Sequence, residues 1–124
     1  SCLQRLKQQG YWLAVATGKG RSGLDKAIAQ TDTQAFWLET ACAGEYPSKP
    51  APDMVLALCD RLGVEPEEAV VVGDTTHDLE MAANAKIRAI AVTTGAHTAK
   101  QLSALPHIAM LNSLAELPDV LETL

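Results

Sequence analysis

The chain has 124 residues and a formal net charge of -5, with 48% hydrophobic and 20% charged residues. This balance is typical of a folded soluble protein, and the length fits one domain, so we expect residues 1–124 to form a single domain. The acidic charge, without any cluster of Lys or Arg, argues against a nucleic-acid surface, and the apolar runs are too short to span a membrane.

Three cysteines, Cys2, Cys42 and Cys59, occur without any Cys-x-x-Cys spacing. Each lies in or near an apolar segment, which favours buried free thiols over a disulfide framework. Because free thiols are typical of a reducing compartment, we expect a cytoplasmic protein.

Short apolar runs alternate with amphipathic helical patterns along the chain. The pattern predicts a helix that ends at Gly10, and then, in chain order, strand 11–16, helix 22–30, strand 35–41, helix 52–62, strand 69–72, helix 76–85, strand 87–92, helix 99–105, strand 107–111 and helix 114–124. A turn at Thr93-Thr94-Gly95 is expected to close the strand 87–92. Such alternation predicts an α/β fold, with a parallel sheet, right-handed crossovers and helices on both faces.

The stretch from Val70 to Asp78 is the most informative part of the chain. An apolar strand is followed by Gly73, which lets the backbone turn, and then by Asp74 and Asp78. Ligands bind at the carboxyl ends of parallel strands, and positions i and i+4 share one helical face, so the two carboxylates can converge on one Mg²⁺. Helix capping explains the same residues about equally well, because Asp and Thr are favoured N-caps.

Two further features fall at predicted strand exits. Thr17 and Gly18 follow the first strand, and Lys49 lies in the long loop after the second. Taken singly, Thr-Gly is an ordinary turn and Lys49 an ordinary solvated residue. Taken together with the two carboxylates, a hydroxyl, backbone N–H groups and an ammonium make a site that can handle a phosphoryl group.

In this order the motifs resemble those of the haloacid dehalogenase superfamily, in its phosphoglycolate phosphatase-like and β-phosphoglucomutase-like branch. Ala14 to Lys19 is similar to the second motif of that family, Ser48 to Asp53 to the third, and Val71 to Asp78 to the fourth. The resemblance implies a Rossmann-like core. It also implies that Thr17 and Gly18 bind the phosphoryl group, that Lys49 steadies it, and that Asp74 and Asp78 serve a catalytic Mg²⁺ as its ligands.

The chain departs from the family pattern in two ways. Lys86 follows Asn84 and Ala85 where the family usually has glycine, so the helix must either tolerate a left-handed residue or end differently. More importantly, the family begins with Asp-x-Asp-x-Thr, and no Asp-x-Asp occurs here. The resemblance therefore predicts that the first strand, with the nucleophilic aspartate, and the cap domain belong to an upstream segment.

These observations favour a Mg²⁺-dependent phosphatase that acts on a small phosphorylated metabolite through an aspartyl-phosphate in the complete protein, whereas this chain alone is expected to be inactive. A phosphomutase with the same covalent chemistry and a non-catalytic binding or assembly module are the alternatives. A receiver-like or nucleotide-binding module is weaker, because Gly18-Lys19-Gly20 is too short for a phosphate-cradling loop.

The resemblance also implies that the absent strand lies between strands 11–16 and 69–72. The two strands would then have unpaired edges, which are costly when buried and prone to pairing when exposed. We expect the gap to be filled by re-pairing of these strands, by a second chain, or by the missing amino-terminal segment.

Overall fold

The computed structural model describes residues 2–93 and 97–123. The helices are α1 Cys2–Gln8, α2 Arg21–Thr31, α3 Asp53–Leu62, α4 Thr76–Ala85, α5 Ala99–Ser103 and α6 Leu117–Glu122. The strands are β1 Leu13–Ala16, β2 Trp37–Ala41, β3 Val70–Gly73, β4 Arg88–Val92 and β5 Ala109–Leu111. Short 3-10 turns, Gln34–Phe36, Pro66–Glu68 and Leu114–Glu116, precede β2, β3 and α6. None of the helices within these residues is long and apolar enough to cross a membrane.

The predicted order of helices and strands is confirmed, with differences at the ends of elements. The strand predicted over 35–41 begins only at Trp37, because the Phe36 amide closes a turn onto the Thr33 carbonyl at 2.9 Å. The last helix begins only at Leu117. Ser113 caps the 3-10 turn that precedes this helix, and its hydroxyl oxygen accepts the Ala115 amide at 3.1 Å. The predicted turn at Thr94 and Gly95 lies outside the described residues.

The strands form two separate parallel sheets instead of one. β1 pairs with β2, and β3, β4 and β5 pair in that order. Across the residues that the structure describes, β1 and β3 do not pair with each other, so re-pairing of these two strands is not observed.

Helices cover both faces of the two sheets, as the sequence predicts. On one face α3 and α4 pack against both sheets through a core that contains Met54, Val55 and Met81, with Ala14 and Val71 beside them. On the other face α1 and α6 contribute Leu6 and Leu117, which pack with the neighbouring strand residues Leu13, Val70 and Ile90. Side chains of successive strand residues therefore enter opposite cores, which is the period of two expected of strands buried on both faces.

Lys86 takes the left-handed conformation at the end of α4, with φ 60° and ψ 39°. Its amide donates to the Ala83 carbonyl at 3.1 Å, and the Ile87 amide donates to the Ala82 carbonyl at 2.9 Å. These are the two hydrogen bonds of a Schellman motif, which a glycine usually closes. Of the two alternatives raised by the sequence, Lys86 therefore adopts positive φ.

Candidate active site

The predicted site residues lie at the carboxyl ends of the strands. Thr17 follows β1, Lys49 lies in the loop after β2, Asp74 follows β3, and Asp78 lies in the first turn of α4. Lys49 and Asp78 are in direct contact, whereas within residues 2–93 and 97–123 no hydrogen bond or ion pair joins Thr17 or Asp74 to them. The structure thus joins two of the four residues directly and places the other two at exits of strands of different sheets.

The Lys49–Asp78 ion pair is the centre of this arrangement. Nζ of Lys49 lies 2.5 Å from Oδ1 of Asp78, and the two side chains are 20% and 11% exposed. The loop that carries Lys49 is held from a second direction, because the Asn84 side-chain amide donates to the Pro50 carbonyl at 2.9 Å. A charge-assisted hydrogen bond shielded from water in this way fixes the position of the ammonium group.

The second carboxylate oxygen of Asp78 binds the start of its own helix. Oδ2 accepts the Thr75 hydroxyl at 2.9 Å and the Thr75 amide at 3.2 Å. In return Oγ1 of Thr75 accepts the Asp78 amide at 3.2 Å, which completes a capping box. The capping interpretation and the functional interpretation of Asp78 are therefore compatible, since one oxygen serves the helix and the other serves Lys49.

Gly73 makes room for Asp78. A Cβ atom at this position would lie 2.2 Å from Cβ of Asp78 and 2.8 Å from its Oδ2, which is far inside normal contact distance. Gly73 is not among the residues with positive φ in the part of the chain that the structure describes. Its importance is therefore the space it leaves, and not the turn that the sequence suggested.

Asp74 differs from Asp78 in its surroundings. It is exposed, and among the described residues it has no hydrogen-bond or ion-pair partner. It also precedes Thr75, the N-cap of α4, so the argument that Asp74 and Asp78 share a helical face is wrong. Asp74 and Asp78 instead belong to the short connection between β3 and α4 and to the first turn of α4.

The donor set fits Mg²⁺ only in part. Mg²⁺ prefers oxygen ligands and is usually held by one or two carboxylates together with waters and phosphate oxygens. Asp74 offers a free carboxylate, while both oxygens of Asp78 already accept hydrogen bonds. No group of three or more His, Cys, Asp or Glu residues that could hold a metal ion occurs within residues 2–93 and 97–123. The assignment of Asp74 and Asp78 as metal ligands stays a prediction.

The loop after β1 carries Thr17 and Gly18, which are predicted to bind the phosphoryl group. Oγ1 of Thr17 accepts the Lys19 amide at 3.1 Å, which leaves the hydroxyl hydrogen free to donate. Apart from the adjacent residues of the chain, no atom lies within 4 Å of the point where a Cβ of Gly18 or Gly20 would be, so the loop is open. An open loop of backbone amides beside a hydroxyl donor is suited to an anion.

Arg21 ties this loop to the one after β2. Its guanidinium lies 2.9 Å from Oε1 of Glu45 and donates to Oγ1 of Thr40 at 2.5 Å. The same Glu45 oxygen accepts the Cys42 amide at 3.0 Å. Hydrogen bonds from Arg21 lower the pKa of Glu45 most, and the hydrogen bond from the Cys42 amide lowers it further. Burial raises the pKa of the Cys42 thiol. The two loops are thereby held in a fixed relation.

Several contributing residues were missed from the sequence. Thr75 could have been found, because Thr75-x-x-Asp78 matches the capping-box pattern. Asn84 and His97 could not, since their contacts join distant parts of the chain. His97 accepts the Thr76 amide at 2.9 Å through Nδ1, and its ring centroid lies 6.0 Å from that of His77.

The chain is similar to known hydrolases over most of its length. The family model for haloacid dehalogenase-like hydrolases matches residues 1–92. The chain belongs to this family. The probable phosphatase IndB of Dickeya dadantii is 38% identical over 116 residues, which are 92% of this chain and 50% of that protein. The pyrophosphatase PpaX of Bacillus velezensis is 33% identical over 117 residues, covering 93% of this chain and 54% of that protein.

Solved structures agree on the fold. A crystal structure described as a predicted phosphoglycolate phosphatase from Haemophilus somnus matches with a TM-score of 0.90 at 24% identity, over 97% of this chain and 54% of that one. The Rossmann-like fold of this hydrolase family is thus confirmed. The chain spans about half the length of the curated relatives it matches.

Proposed function

We propose that this chain supplies most of the catalytic core of a Mg²⁺-dependent phosphomonoester hydrolase, whose nucleophilic aspartate comes from an upstream segment. The observation that carries the proposal is the shielded Lys49–Asp78 pair, which lies at the carboxyl ends of the strands, where Asp74 also follows β3. A fixed ammonium at a strand edge stabilises the negative charge of a transferring phosphoryl group, because the site is arranged before the reaction begins. The small-molecule substrate is expected to be a phosphorylated metabolite.

Each residue has a distinct part in binding the phosphoryl group. The hydroxyl of Thr17 and the amide of Gly18 donate hydrogen bonds to its oxygens, and Lys49 neutralises its charge. Asp78 acts as a positioning residue for Lys49 in addition to its predicted place beside the metal. Asp74 and Asp78 would be the protein ligands of Mg²⁺. When bound, Mg²⁺ supplies further charge neutralisation at the phosphoryl oxygens.

The covalent step requires the upstream aspartate. Its carboxylate oxygen would form a bond to phosphorus while the phosphorus–oxygen ester bond breaks, and the leaving oxygen would take a proton from the second aspartate of the upstream Asp-x-Asp-x-Thr motif to depart as an alcohol. Water would then hydrolyse the acyl phosphate and release inorganic phosphate. Thr17 and Lys49 hold the phosphoryl group throughout but provide no nucleophile. We therefore predict that the 124-residue chain alone has no phosphatase activity.

The test is hydrolysis of para-nitrophenyl phosphate in the presence of Mg²⁺. The chain alone is expected to be inactive, whereas the chain extended by the residues that precede it in its gene should turn over the substrate. In the extended protein, Lys49→Ala should lower kcat by about a hundredfold or more, by analogy with removal of a single oxyanion donor. Lys100→Ala, which changes an exposed lysine of α5, is the control. Activity of the chain alone that disappears in Asp74→Asn would show that the proposed chemistry is wrong.

A second prediction concerns the metal. Because the chain offers one free carboxylate and one that is already hydrogen bonded, calorimetry should find Mg²⁺ binding no tighter than about millimolar. Asp74→Asn should weaken the binding further, whereas Asp60→Asn, at an exposed acid of α3, should not. Micromolar affinity that is lost in Asp78→Ala would mean that the chain provides a complete metal site by itself.

A further inference from the structure

His97 holds the start of helix α4 from outside that helix. Its Nδ1 accepts the Thr76 amide at 2.9 Å, and Thr76 is the first residue of α4. The first amides of a helix have no partner within the helix. The capping box satisfies the amides of Thr75 and Asp78, so among the described residues the Thr76 amide depends on His97.

This hydrogen bond fixes which nitrogen of His97 carries the proton. A backbone amide can only donate, so Nδ1 presents its lone pair and the proton of the neutral ring lies on Nε2. His107 shows the opposite arrangement, since its Nδ1 lies 2.7 Å from the Leu105 carbonyl, which can only accept. Metal ligation needs a free nitrogen lone pair, which neither nitrogen of His97 offers, so His97 and its neighbour His77 do not form a metal site.

The residue after His97 anchors it to a second helix. Thr98 is the N-cap of α5, where its hydroxyl accepts the Gln101 amide at 3.2 Å and its own amide donates to the Gln101 side chain at 2.8 Å. Leu102 of α5 and Leu79 of α4 are both fully buried in one shared core. The imidazole therefore joins the starts of two helices whose bodies are already packed together.

The start of α4 matters because it carries Asp78. Oδ1 of Asp78 contacts the ammonium of Lys49, and Asp78 lies only two residues after Thr76. A rotation of this first turn would move Oδ1 relative to the ammonium. His77 lies between the two residues, and its ring centroid is 6.0 Å from that of His97 at an interplanar angle of 61°. Two consecutive residues of the turn thus lie against the imidazole.

We propose that His97 is a positioning residue for the Lys49–Asp78 pair, and that it acts through the Thr76 amide without touching the substrate. This role rests on the proposed phosphatase function and adds to it a residue that none of the motifs at the strand exits contains. The physical reason is preorganisation, because a charged group stabilises a transferring phosphoryl group best when it is held in place before the reaction. Asp78 holds the ammonium, and His97 holds the start of α4 to the start of α5.

Three variants separate the acceptor at Nδ1 from the donor at Nε2. In asparagine the acceptor oxygen is attached to Cγ, as Nδ1 is in histidine, so His97→Asn keeps an acceptor for the Thr76 amide. In glutamine the polar atoms lie one bond further out, so His97→Gln keeps a donor near the place of Nε2 but loses the acceptor. His97→Ala loses both. His107→Gln, at a histidine that bonds to Leu105 and not to α4, is the control.

Hydrogen exchange on the 124-residue chain tests the positioning without any activity. The Thr76 amide should exchange about tenfold or more slowly in the natural chain than in His97→Ala or His97→Gln, and His97→Asn should retain the protection. The ammonium hydrogens of Lys49, observed by NMR, should exchange faster in the same two variants, because a displaced Asp78 binds them less firmly. Unchanged exchange of the Lys49 hydrogens in both variants would overturn the proposal, since His97 would then stabilise only the helix start.

Steady-state kinetics on the extended protein give the second readout. His97→Gln should lower kcat for para-nitrophenyl phosphate by about tenfold with KM nearly unchanged, because a misplacement of about 1 Å can cost up to about a hundredfold. His97→Asn should recover most of this loss. An equal loss in His97→Asn, with the Thr76 amide still protected, would overturn the proposal in favour of direct contact between Nε2 and the substrate. An extended protein without phosphatase activity would refute the proposed function, and the exchange of the Lys49 hydrogens would still decide the role of His97.

Discussion

Replacement of Gly73 by alanine tests the close approach on which the candidate site depends. The new Cβ would lie 2.2 Å from Cβ of Asp78 and 2.7 Å from its Cγ. Carbon atoms pack at about 3.5–4.0 Å, so the strand and helix would have to separate by about 1.5 Å. Such a shift moves Asp78 away from β3 and disturbs the Thr75 cap at the start of α4.

The expected loss of stability has two parts. Overpacking in a well-packed core costs about 1–3 kcal/mol. Loss of the capping interaction between Thr75 and Asp78 adds about 1 kcal/mol. We therefore expect Gly73→Ala to lower the free energy of unfolding by about 2–4 kcal/mol, which is a large share of the roughly 5–15 kcal/mol typical of a domain. With a urea m-value of about 2 kcal/mol/M, the midpoint should fall by about 1–2 M.

The matched control is Gly23→Ala in α2. Its Cβ would meet only Cβ of Lys19, at 3.7 Å, which is ordinary contact. In a helix, alanine is favoured over glycine by about 0.5–1 kcal/mol, so this variant should be more stable than the natural chain. If urea unfolding finds that Gly73→Ala is as stable as the natural chain, the steric explanation of Gly73 is refuted.

Two other substitutions should have smaller effects on stability. Lys86→Gly should stabilise the chain by about 1 kcal/mol in urea unfolding, because Lys86 has φ 60°, and Lys86→Ala should bring no such gain. Glu45→Gln should destabilise the chain at neutral pH, since Arg21 lowers the pKa of Glu45 in the folded state. A lowered pKa contributes stability above the ordinary value of 4.5 that is lost as the pH falls through the folded value, so thermal unfolding should show the difference between variant and natural chain shrinking at acid pH. A difference that is constant from pH 7 to acid pH would contradict this explanation.

The alternation of strands and helices could be predicted from the sequence, because it depends on local periodicity. Helix α4 has the predicted bounds, Thr76 to Ala85, since Thr75 caps it and the apolar pattern stops at Lys86. The start of β2 was predicted less well. Ala35 and Phe36 belong to an apolar run that suggests a strand. In the structure they form a 3-10 turn instead, because the Phe36 amide bonds to the Thr33 carbonyl.

The candidate site could be predicted as a set of residues but not as a geometry. Lys49 and Asp78 were identified by motif, whereas their contact and its shielding depend on packing between distant segments. The close approach of Asp78 to Gly73 could likewise not be predicted, because it depends on the position of α4 relative to the end of β3. Asn84 could be identified from the sequence only as part of a family pattern. The structure shows what its side chain does, since its amide donates a hydrogen bond to the Pro50 carbonyl.

Helix α4 holds the loop that carries Lys49 at two points. Near its first turn Asp78 binds the ammonium of Lys49, and near its last turn Asn84 binds the carbonyl of Pro50, the next residue in the chain. Because the loop is bound at both ends of the same helix, it is expected to move together with α4. If the two sheets move relative to each other, Lys49 and Asp78 move together with α4. The distance between these two charged groups therefore does not depend on the distance between the sheets.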